Sequence, residues 1–451
     1  MNPVVVSVVV LTALCLLKFN IIIAIILSAV LAGLMAGMDM NTIMIAFIGG
    51  EIDGVRYGGM AGSNQVALSY ILLGALAYGI SGTGLAAKFA DVLERVFGKT
   101  GKWFVVILAG VASLSQNVIP IHIAFIPILI PPLLYLMNRM KIDRRAAACA
   151  LTYGLKAPYM LVPMGFGIIF HGIVSGNMTA NGMEIYAGEI WSAAILPAIG
   201  MTVGLFVAIF ITYRKDRHYE DLPLIGMPEA DEESKKGFTI RHWGALVGAL
   251  AAFATQMILR FITGTSAMWA LPLGATIGIL IMVATGAIRY KEFDKTLKGG
   301  IGLMGFIAFI MLVASGYGSV MSATGGVDSL VEWALGVVGN NRLGAIIAMQ
   351  FVGLLITMGI GTSFGTIPII AAIFVPFCLA MGFSPMATAA LLISAGVTGD
   401  AGTPASDSTL GPTAGLAADG QHDHIYDTCI PTFLHFNIPI IIMGTIAAYI
   451  L

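Results

Sequence analysis

The chain has 451 residues, of which 58% are hydrophobic and only 10% are charged. An ordinary soluble domain carries about 25% charged residues, so the composition excludes a soluble enzyme. The formal net charge of −1 gives no sign of a nucleic-acid partner. The mean hydropathy is +0.92. Several apolar stretches hold about 20 residues, enough helix to span the roughly 30 Å hydrocarbon core, which predicts an all-α polytopic membrane protein.

Apolar segments predict about ten membrane-spanning helices. In chain order they lie at about 3–17, 20–38, 66–82, 145–173, 191–213, 243–262, 268–288, 300–321, 386–410 and 430–451. Two further apolar stretches, 103–138 and 343–381, are interrupted in the middle by short polar sequences. Each is slightly short for two full spans and a loop, so we predict two re-entrant hairpins.

The placement of Lys and Arg predicts the orientation. Basic clusters lie at 88–102, 139–145, 214–241 and 289–298, with two predicted spans between successive clusters after the first hairpin. All of them therefore share one face, which the positive-inside rule makes cytoplasmic. Both termini are then predicted outside, in a multi-pass protein of the bacterial inner membrane.

An internal repeat divides the chain. An offset of about 241 residues aligns short matching segments, 81–84 with 322–325 and 126–128 with 367–369. The shared offset predicts two repeats, 1–213 and 243–451, joined by a cytoplasmic linker at 214–242. Each repeat has an odd number of spans, so the second is predicted to be inverted. Inverted repeats with broken helices are typical of secondary transporters, although a duplicated bundle without that role is the alternative.

Polar residues interrupt both hairpins, near 113–122 and 357–366. Lipid cannot satisfy the backbone groups that such breaks free, so the breaks must face protein or water. Oxygen atoms at broken helices suit a dehydrated cation such as Na⁺, whereas close helix packing is the other explanation for the small residues. We predict Asn117 and Thr357 as Na⁺ ligands. The predicted substrate-binding residues of the tips are Ser115, Gln116, Asn117, His122, Thr362 and Ser363.

The strongest local signal is the stretch 394–408, where several Gly, a Pro and two carboxylates interrupt an apolar span. An ionised Asp at the bilayer centre costs about 2.5–3.5 kcal/mol, so Asp400 is expected to have a cation, a proton or a basic partner. Asp407 lies about two helical turns later, and an interfacial or capping carboxylate is the alternative for both. The sequence predicts Na⁺ ligands and a substrate contact here: Asp400, Asp407, Thr398 and Ser406 for Na⁺, and Thr403 for the substrate.

Lys156 lies inside a span of the first repeat, and the offset takes it to Val397, close to Asp400. We predict that Lys156 and Asp400 approach each other at the midplane. Lys156 then either binds a substrate carboxylate or neutralises Asp400, with a snorkelling Lys as the alternative. Tyr159 is a further predicted substrate contact. We interpret the group from His422 to His424 as a solvated cytoplasmic turn and not as a metal site.

These tips and breaks resemble the ion transporter superfamily, specifically its NhaC-like Na⁺/H⁺ antiporter family, some members of which are regarded as amino-acid (histidine-type) permeases. The resemblance covers nearly the whole chain. It rests on Ser115-Gln116-Asn117, Gly361-Thr362-Ser363, Lys156-Ala157-Pro158 and Thr398-Gly399-Asp400. It implies homodimers in which a transport domain of hairpins and broken helices moves against a scaffold. The dicarboxylate branch carries Ser-Asn-Thr at both tips, and this chain does not, which argues against a dicarboxylate substrate.

We therefore predict a secondary transporter that uses a Na⁺ or H⁺ gradient to move an amino acid or organic anion by elevator-type alternating access. Its predicted partners are that solute, the coupling cation and the lipid bilayer, and no other cofactor is expected. The alternative is a Na⁺/H⁺ antiporter, in which Asp400 or Asp407 binds the two cations in competition. An intramembrane aspartyl protease is disfavoured because 396–400 has one residue too many for a G-x-G-D motif. Two opposed hairpins disfavour a channel.

Overall fold

A computed structural model describes residues 2–52, 54–85, 95, 101–117, 126–164, 166–223, 238–263, 270–326, 329–330, 336 and 341–451. Within these ranges the chain is mostly helical, and its helices pack into two bundles. The first bundle is formed by α1 (Pro3–Leu16), α2 (Ile21–Met35), α3 (Met40–Ile48), α4 (Asn64–Gly82), α11 (Ile240–Thr263), α12 (Ala270–Ala284) and α13 (Phe293–Ala323). The long helix α13 packs against α2, α3 and α4 and holds this bundle together.

The second bundle contains the described arms of both predicted hairpins and both broken helices. It is formed by α5 (Trp103–Asn117), α6 (Ile126–Arg139), α7 (Arg144–Leu161), α8 (Phe166–Ala180), α9 (Ile190–Ala193), α10 (Ile195–Thr212), α14 (Arg342–Ile360), α15 (Ser363–Ala380), α16 (Pro385–Val397), α17 (Asp407–Leu416) and α18 (His424–Ile450). Contacts of α14 with α1 and α13, of α6 with α4, and of α17 with α13 join the two bundles. Each bundle therefore draws helices from both halves of the sequence.

Five helices are long and apolar enough to cross a membrane within the described residues: Ile195–Thr212, Met304–Ala323, Arg342–Ile360, Ser363–Ala380 and His424–Ile450. The pair α7 and α8, bent by 53° at its break, makes a sixth candidate span. The two arms of the second hairpin each have the length of a full span. That this hairpin enters the membrane only part of the way stays a prediction, and so does the total of about ten spans.

The prediction of an all-α chain is wrong in one detail. Between α3 and α4 the chain forms an antiparallel hairpin of two short strands, β1 (Gly50–Ile52) and β2 (Val55–Tyr57), in which Glu51 pairs with Arg56. The preceding helix α3 begins at Met40, with Asp39 capping its N-terminus through hydrogen bonds to the next amides. Strands of three residues are too short to show an alternating hydrophobic pattern in the sequence.

Helix starts and contacts recur at the predicted offset. The helices at Arg144 and Phe166 begin about 241 residues before those at Pro385 and Asp407. A Cβ placed on Gly154 would collide with Ala112 where α7 crosses α5, and one on Gly353 would lie 2.6 Å from the Cβ of Ala395 where α14 crosses α16. The offset of 241 residues takes Ala112 to Gly353 and Gly154 to Ala395, so the two contacts correspond with glycine and alanine exchanged. The opposite orientation of the repeats 1–213 and 243–451 stays a prediction.

Candidate functional site

The break between α16 and α17 places a carboxylate inside the second bundle. Gly402 has φ +111°, and a Cβ there would lie 2.5 Å from the Cβ of Phe433 on α18. Only glycine fits this left-handed backbone at so close an approach. Residues 398–406 therefore leave the helix, and Asp400, which is fully buried, lies within this irregular segment.

Side chains of neighbouring helices satisfy the backbone groups that the break frees. The amide of Asn437 on α18 accepts a hydrogen bond from Gly399 N at 3.2 Å and donates one to Ala401 O at 2.9 Å. The Ser408 hydroxyl donates to the carbonyl of Asp400 at 3.0 Å. Because lipid offers no such partners, these contacts explain how an irregular segment persists inside a membrane protein.

The carboxylate of Asp400 accepts hydrogen bonds at both oxygens. Its Oδ2 receives the Ser363 backbone N–H at 2.9 Å, the Ser363 hydroxyl at 2.5 Å and the ammonium of Lys156. Its Oδ1 receives the hydroxyl of Ser406. Three of these donors thus meet at Oδ2 and one at Oδ1, so Oδ1 can still accept a further contact.

A helix N-terminus also contacts this carboxylate. Ser363 is the first residue of α15, and its backbone N–H donates to Oδ2 of Asp400. The N-terminal end of a helix carries a partial positive charge and unpaired N–H groups, so this end stabilises a negative charge at Asp400. Ser406, the N-cap of α17, contributes its hydroxyl.

Lys156 reaches Asp400 from α7 in the first half of the chain, as the repeat offset predicts, and its side chain is 3% exposed. Its Nζ lies 3.6 Å from Oδ1 of Asp407, whose side chain is 24% exposed. Tyr159, one turn further along α7, donates a hydrogen bond to Ser363 Oγ at 3.0 Å. We call Lys156, Asp400 and Asp407 the charge cluster. With both carboxyl groups ionised, one positive and two negative charges leave it a net charge of −1.

Several predicted ligands turn to backbone carbonyls instead of the charge cluster. Thr398 donates to Ser394 O at 2.5 Å, Thr357 to Gly353 O at 2.7 Å and Ser115 to Ala112 O at 2.6 Å, each to a carbonyl three or four residues earlier. Thr403 donates to Met358 O at 3.1 Å. Back-bonding to a carbonyl one turn earlier is a common state of helical Ser and Thr. Gln116 and Asn117 end α5, and His122 lies outside the described residues.

A cavity of about 800 Å³ lies between the two bundles, beside the charge cluster. We call it the Arg56 cavity. One wall comes from the β1–β2 hairpin and α13, and the other from the tip of the second hairpin and the start of α17. Its polar lining includes Arg56, Ser63, Ser322, Thr362 and Asp407. Of the three charge-cluster residues, Asp407 is the one that lines this cavity.

A second cavity, of about 410 Å³, lies between the same two bundles near the other end of α17. We call it the His424 cavity, and its lining includes Cys15, Lys18, Thr413, His422, His424 and Tyr426. Helix α17 thus runs from one cavity to the other, with Asp407 at its first residue and Thr413 in its later turns.

The interpretation of His422 to His424 as a solvated turn is wrong. His422 is only 7% exposed, and its Nε2 lies 2.7 Å from the hydroxyl of Thr428. His424 bridges Thr413 Oγ1 at 2.8 Å and Pro404 O at 2.9 Å. Burial lowers the pKa of His422 to about 3, so its ring is neutral. Among the described residues no group of His, Cys, Asp and Glu has the arrangement of a metal site.

Sequence reasoning also missed a buried ion pair that joins the ends of α7 and α17. Arg144, which is fully buried, donates to both oxygens of Asp419, at 2.6 and 2.5 Å, and to Leu416 O at 3.1 Å. The sequence places Arg144 in a basic cluster that looks like a solvated loop. No local signal distinguishes it from its neighbour Arg145, because its partner lies in the other half of the chain.

The chain matches two families of known proteins. Residues 150–446 match the family described as "Na⁺/H⁺ antiporter family", and residues 2–97 match one described as "Na⁺-H⁺ antiporter family". A membrane protein of Vibrio parahaemolyticus is 45% identical over 462 residues, covering 100% of both chains. The "Putative amino acid transporter YuiF" of Bacillus subtilis is 45% identical over 403 residues, covering 87% of this chain and 89% of that protein.

Solved structures resemble the chain more distantly. The YdaH transporter of Alcanivorax borkumensis aligns over 86% of this chain and 85% of its own, at 15% identity and a TM-score of 0.43. MtrF of Neisseria gonorrhoeae, described as one of a class of antimetabolite efflux pumps, aligns over 85% and 81% at 16% identity and a TM-score of 0.39.

Proposed function

The chain belongs to the Na⁺/H⁺ antiporter family and is a membrane transporter, and from this premise we propose that it couples a Na⁺ or H⁺ gradient to the movement of an amino acid or related organic anion. The transported solute and the coupling cation meet at the charge cluster. Their movement follows alternating access, in which the second bundle moves past the first.

The observation that carries this proposal is the charge cluster beside the Arg56 cavity. Lys156 contacts both the buried Asp400 and Asp407, and Asp407 reaches the cavity wall. Ionisable side chains at membrane depth are costly and mark the pathways of ions and substrates. Na⁺ or a proton binds at Asp407, and solute and cation then cross together.

The two cavities support alternating access. Both lie between the bundles, and α17 connects them. With the orientation that the basic residues predict, the Arg56 cavity opens to the outside and the His424 cavity to the cytoplasm. Movement of the second bundle along this interface, as an elevator, would expose the cluster first to one cavity and then to the other.

An amino acid is favoured as the solute for two reasons. The relative from Bacillus subtilis is described as a putative amino acid transporter and matches 87% of this chain. The Arg56 cavity also presents a guanidinium, which suits the carboxylate of an amino acid.

Uptake into proteoliposomes tests the proposal. Purified protein is reconstituted, and the uptake of radiolabelled amino acids is measured with an inward Na⁺ gradient, an inward H⁺ gradient, or neither. We expect accumulation of at least one amino acid that requires one of the gradients, and its loss in Asp400→Asn. Equal uptake with and without gradients contradicts coupling.

A Na⁺/H⁺ antiporter is the second candidate, and the Lys156–Asp400 ion pair favours it. A Na⁺ ion that binds Oδ2 of Asp400 competes with the Lys156 ammonium for that oxygen. Proton release from a displaced Lys156 would link Na⁺ entry to H⁺ exit. Proton flux driven by a Na⁺ gradient with no amino acid present would favour this candidate.

A further inference from the structure

The Arg56 cavity contains a basic side chain that the proposed coupling does not use. Among the described residues that line the cavity, Arg56 is the one basic residue and Asp407 the one acidic residue. They come from different bundles, Arg56 from strand β2 of the first and Asp407 from α17 of the second.

Lys156 is not available to a solute carboxylate in this conformation. It is 3% exposed, its ammonium is bound by Asp400, and it does not line the cavity. The sequence favoured Lys156 for this role because it is the basic residue inside a span. In the structure, a basic residue on the cavity wall is better placed to bind the solute carboxylate.

The segment just after the β1–β2 hairpin, which carries Arg56 at the cavity wall, is fixed by hydrogen bonds to α13. Gly59, just after β2, donates its N–H to Ser319 Oγ at 3.1 Å and accepts at its carbonyl the hydroxyl of Ser315 at 2.8 Å. Glu51 is the cross-strand neighbour of Arg56, yet within the described part of the chain no carboxylate oxygen lies within 4 Å of the Arg56 guanidinium. Among the described residues, the guanidinium therefore has no carboxylate partner, and it can bind the carboxylate of a ligand.

We propose that the Arg56 cavity binds a free α-amino acid, with its carboxylate on the Arg56 guanidinium. Arg56 is then the residue that selects for a free carboxylate. A guanidinium suits this task because its planar fork donates two parallel hydrogen bonds to one carboxylate. The volume of about 800 Å³ lies within the usual range of small-molecule sites, roughly 300–1,000 Å³.

This inference rests on the proposed function and assigns its substrate contact. Binding is measured with purified protein in detergent, as the concentration-dependent rise in melting temperature with each of the common L-amino acids in turn. Ligand binding to the native state raises apparent stability in proportion to ln(1 + [L]/Kd). For the amino acid with the largest rise, the probes are the free acid and its methyl ester, which lacks the carboxylate.

For Arg56→Gln we expect the Kd of the free amino acid to rise about 10- to 100-fold, the effect of losing a hydrogen bond between charged groups. Arg56→Lys, which keeps the charge but loses the fork, should fall between Arg56→Gln and the wild type. The methyl ester should bind the wild type weakly and be insensitive to either substitution. Glu51→Gln, which changes the opposite charge on the same hairpin, is the matched control and should leave every Kd unchanged.

The outcomes separate this inference from the proposed function. An unchanged Kd for the free amino acid in Arg56→Gln overturns the role of Arg56 while leaving amino-acid transport intact. A methyl ester that binds the wild type as well as the free acid also overturns it. If no amino acid stabilises the wild type or is taken up by proteoliposomes, the proposed function itself fails. Equal melting temperatures of ligand-free Arg56→Gln and wild type exclude misfolding as the cause of weaker binding.

Discussion

Replacing Lys156 by Met should destabilise the protein more than replacing Asp400 by Asn. Without Lys156, Asp400 remains fully buried with no other basic side chain in contact among the described residues, and only the donors of Ser363 and Ser406 are left. Breaking a buried ion pair by removing one partner costs about 3–5 kcal/mol. Without the Asp400 charge, Lys156 still has Asp407 at 3.6 Å, so the cost of Asp400→Asn should be nearer about 1–3 kcal/mol.

The assay is equilibrium unfolding in mixed micelles, applied to both single variants and to Lys156→Met/Asp400→Asn. The double variant should cost less than the sum of the single ones, because no unpaired charge is left at Asp400. Met keeps the apolar length of the Lys stem, so the comparison isolates the charge. Equal costs of the two single variants, or strict additivity in the double variant, would refute this description of the charge cluster.

Three further predictions concern the rest of the molecule. Gly402→Ala should prevent folding or lower the melting temperature sharply, since the backbone is left-handed there and the new Cβ would meet Phe433. Burial would raise the pKa of Asp419, but hydrogen bonds and the charge of Arg144 outweigh it and hold the pKa below its ordinary value of 3.8. Asp419 thus stabilises the fold above about pH 4 and less as the pH falls through its folded pKa, so Arg144→Met should be destabilising at pH 7, by a margin that narrows below pH 4. Cys15, as the sole cysteine, should react with a thiol reagent at a rate that changes when amino acid and coupling cation are added together, because it lines the His424 cavity.

Each of these has a matched control. Gly176→Ala places a Cβ where no atom lies within 4 Å, so it should leave the melting temperature nearly unchanged. Arg289→Met removes a largely exposed Arg and should show no pH-dependent gap in stability. Cys149 as the sole cysteine is fully buried in α7, and its reaction rate should not respond to ligand. A ligand-independent rate at Cys15 would argue against movement between the bundles.

The sequence was sufficient for features that depend on composition and on long patterns. Hydropathy located apolar helices because a helix that crosses lipid must be apolar over most of its length. Within the described residues, four predicted spans, 145–173, 191–213, 300–321 and 430–451, correspond to candidate spans of the structure. The repeat offset brought Lys156 next to Asp400, since a break in one repeat has its counterpart in the other. Both inferences use tens of residues at once.

Features that depend on a partner distant in sequence could not be predicted. His424 is turned inward by Thr413 and Pro404 across a broken helix, although its own segment reads as a polar loop. The hydroxyls of Thr357 and Thr398 satisfy carbonyls four residues earlier, a choice that the residue type leaves open. Arg56 reaches a cavity wall because two serines of α13 fix its hairpin, and those serines carry no sequence signal.

The central claim is that the charge of Asp407 couples the cation to the solute, and Asp407→Asn tests it most directly. This variant keeps the shape of the side chain and brings the net charge of the cluster from −1 to zero. In proteoliposomes loaded with unlabelled amino acid, exchange for labelled amino acid should persist, because it needs no net cation movement. Accumulation driven by a Na⁺ or H⁺ gradient should be lost. Gradient-driven accumulation in Asp407→Asn with the cation dependence of the wild type would contradict the claim.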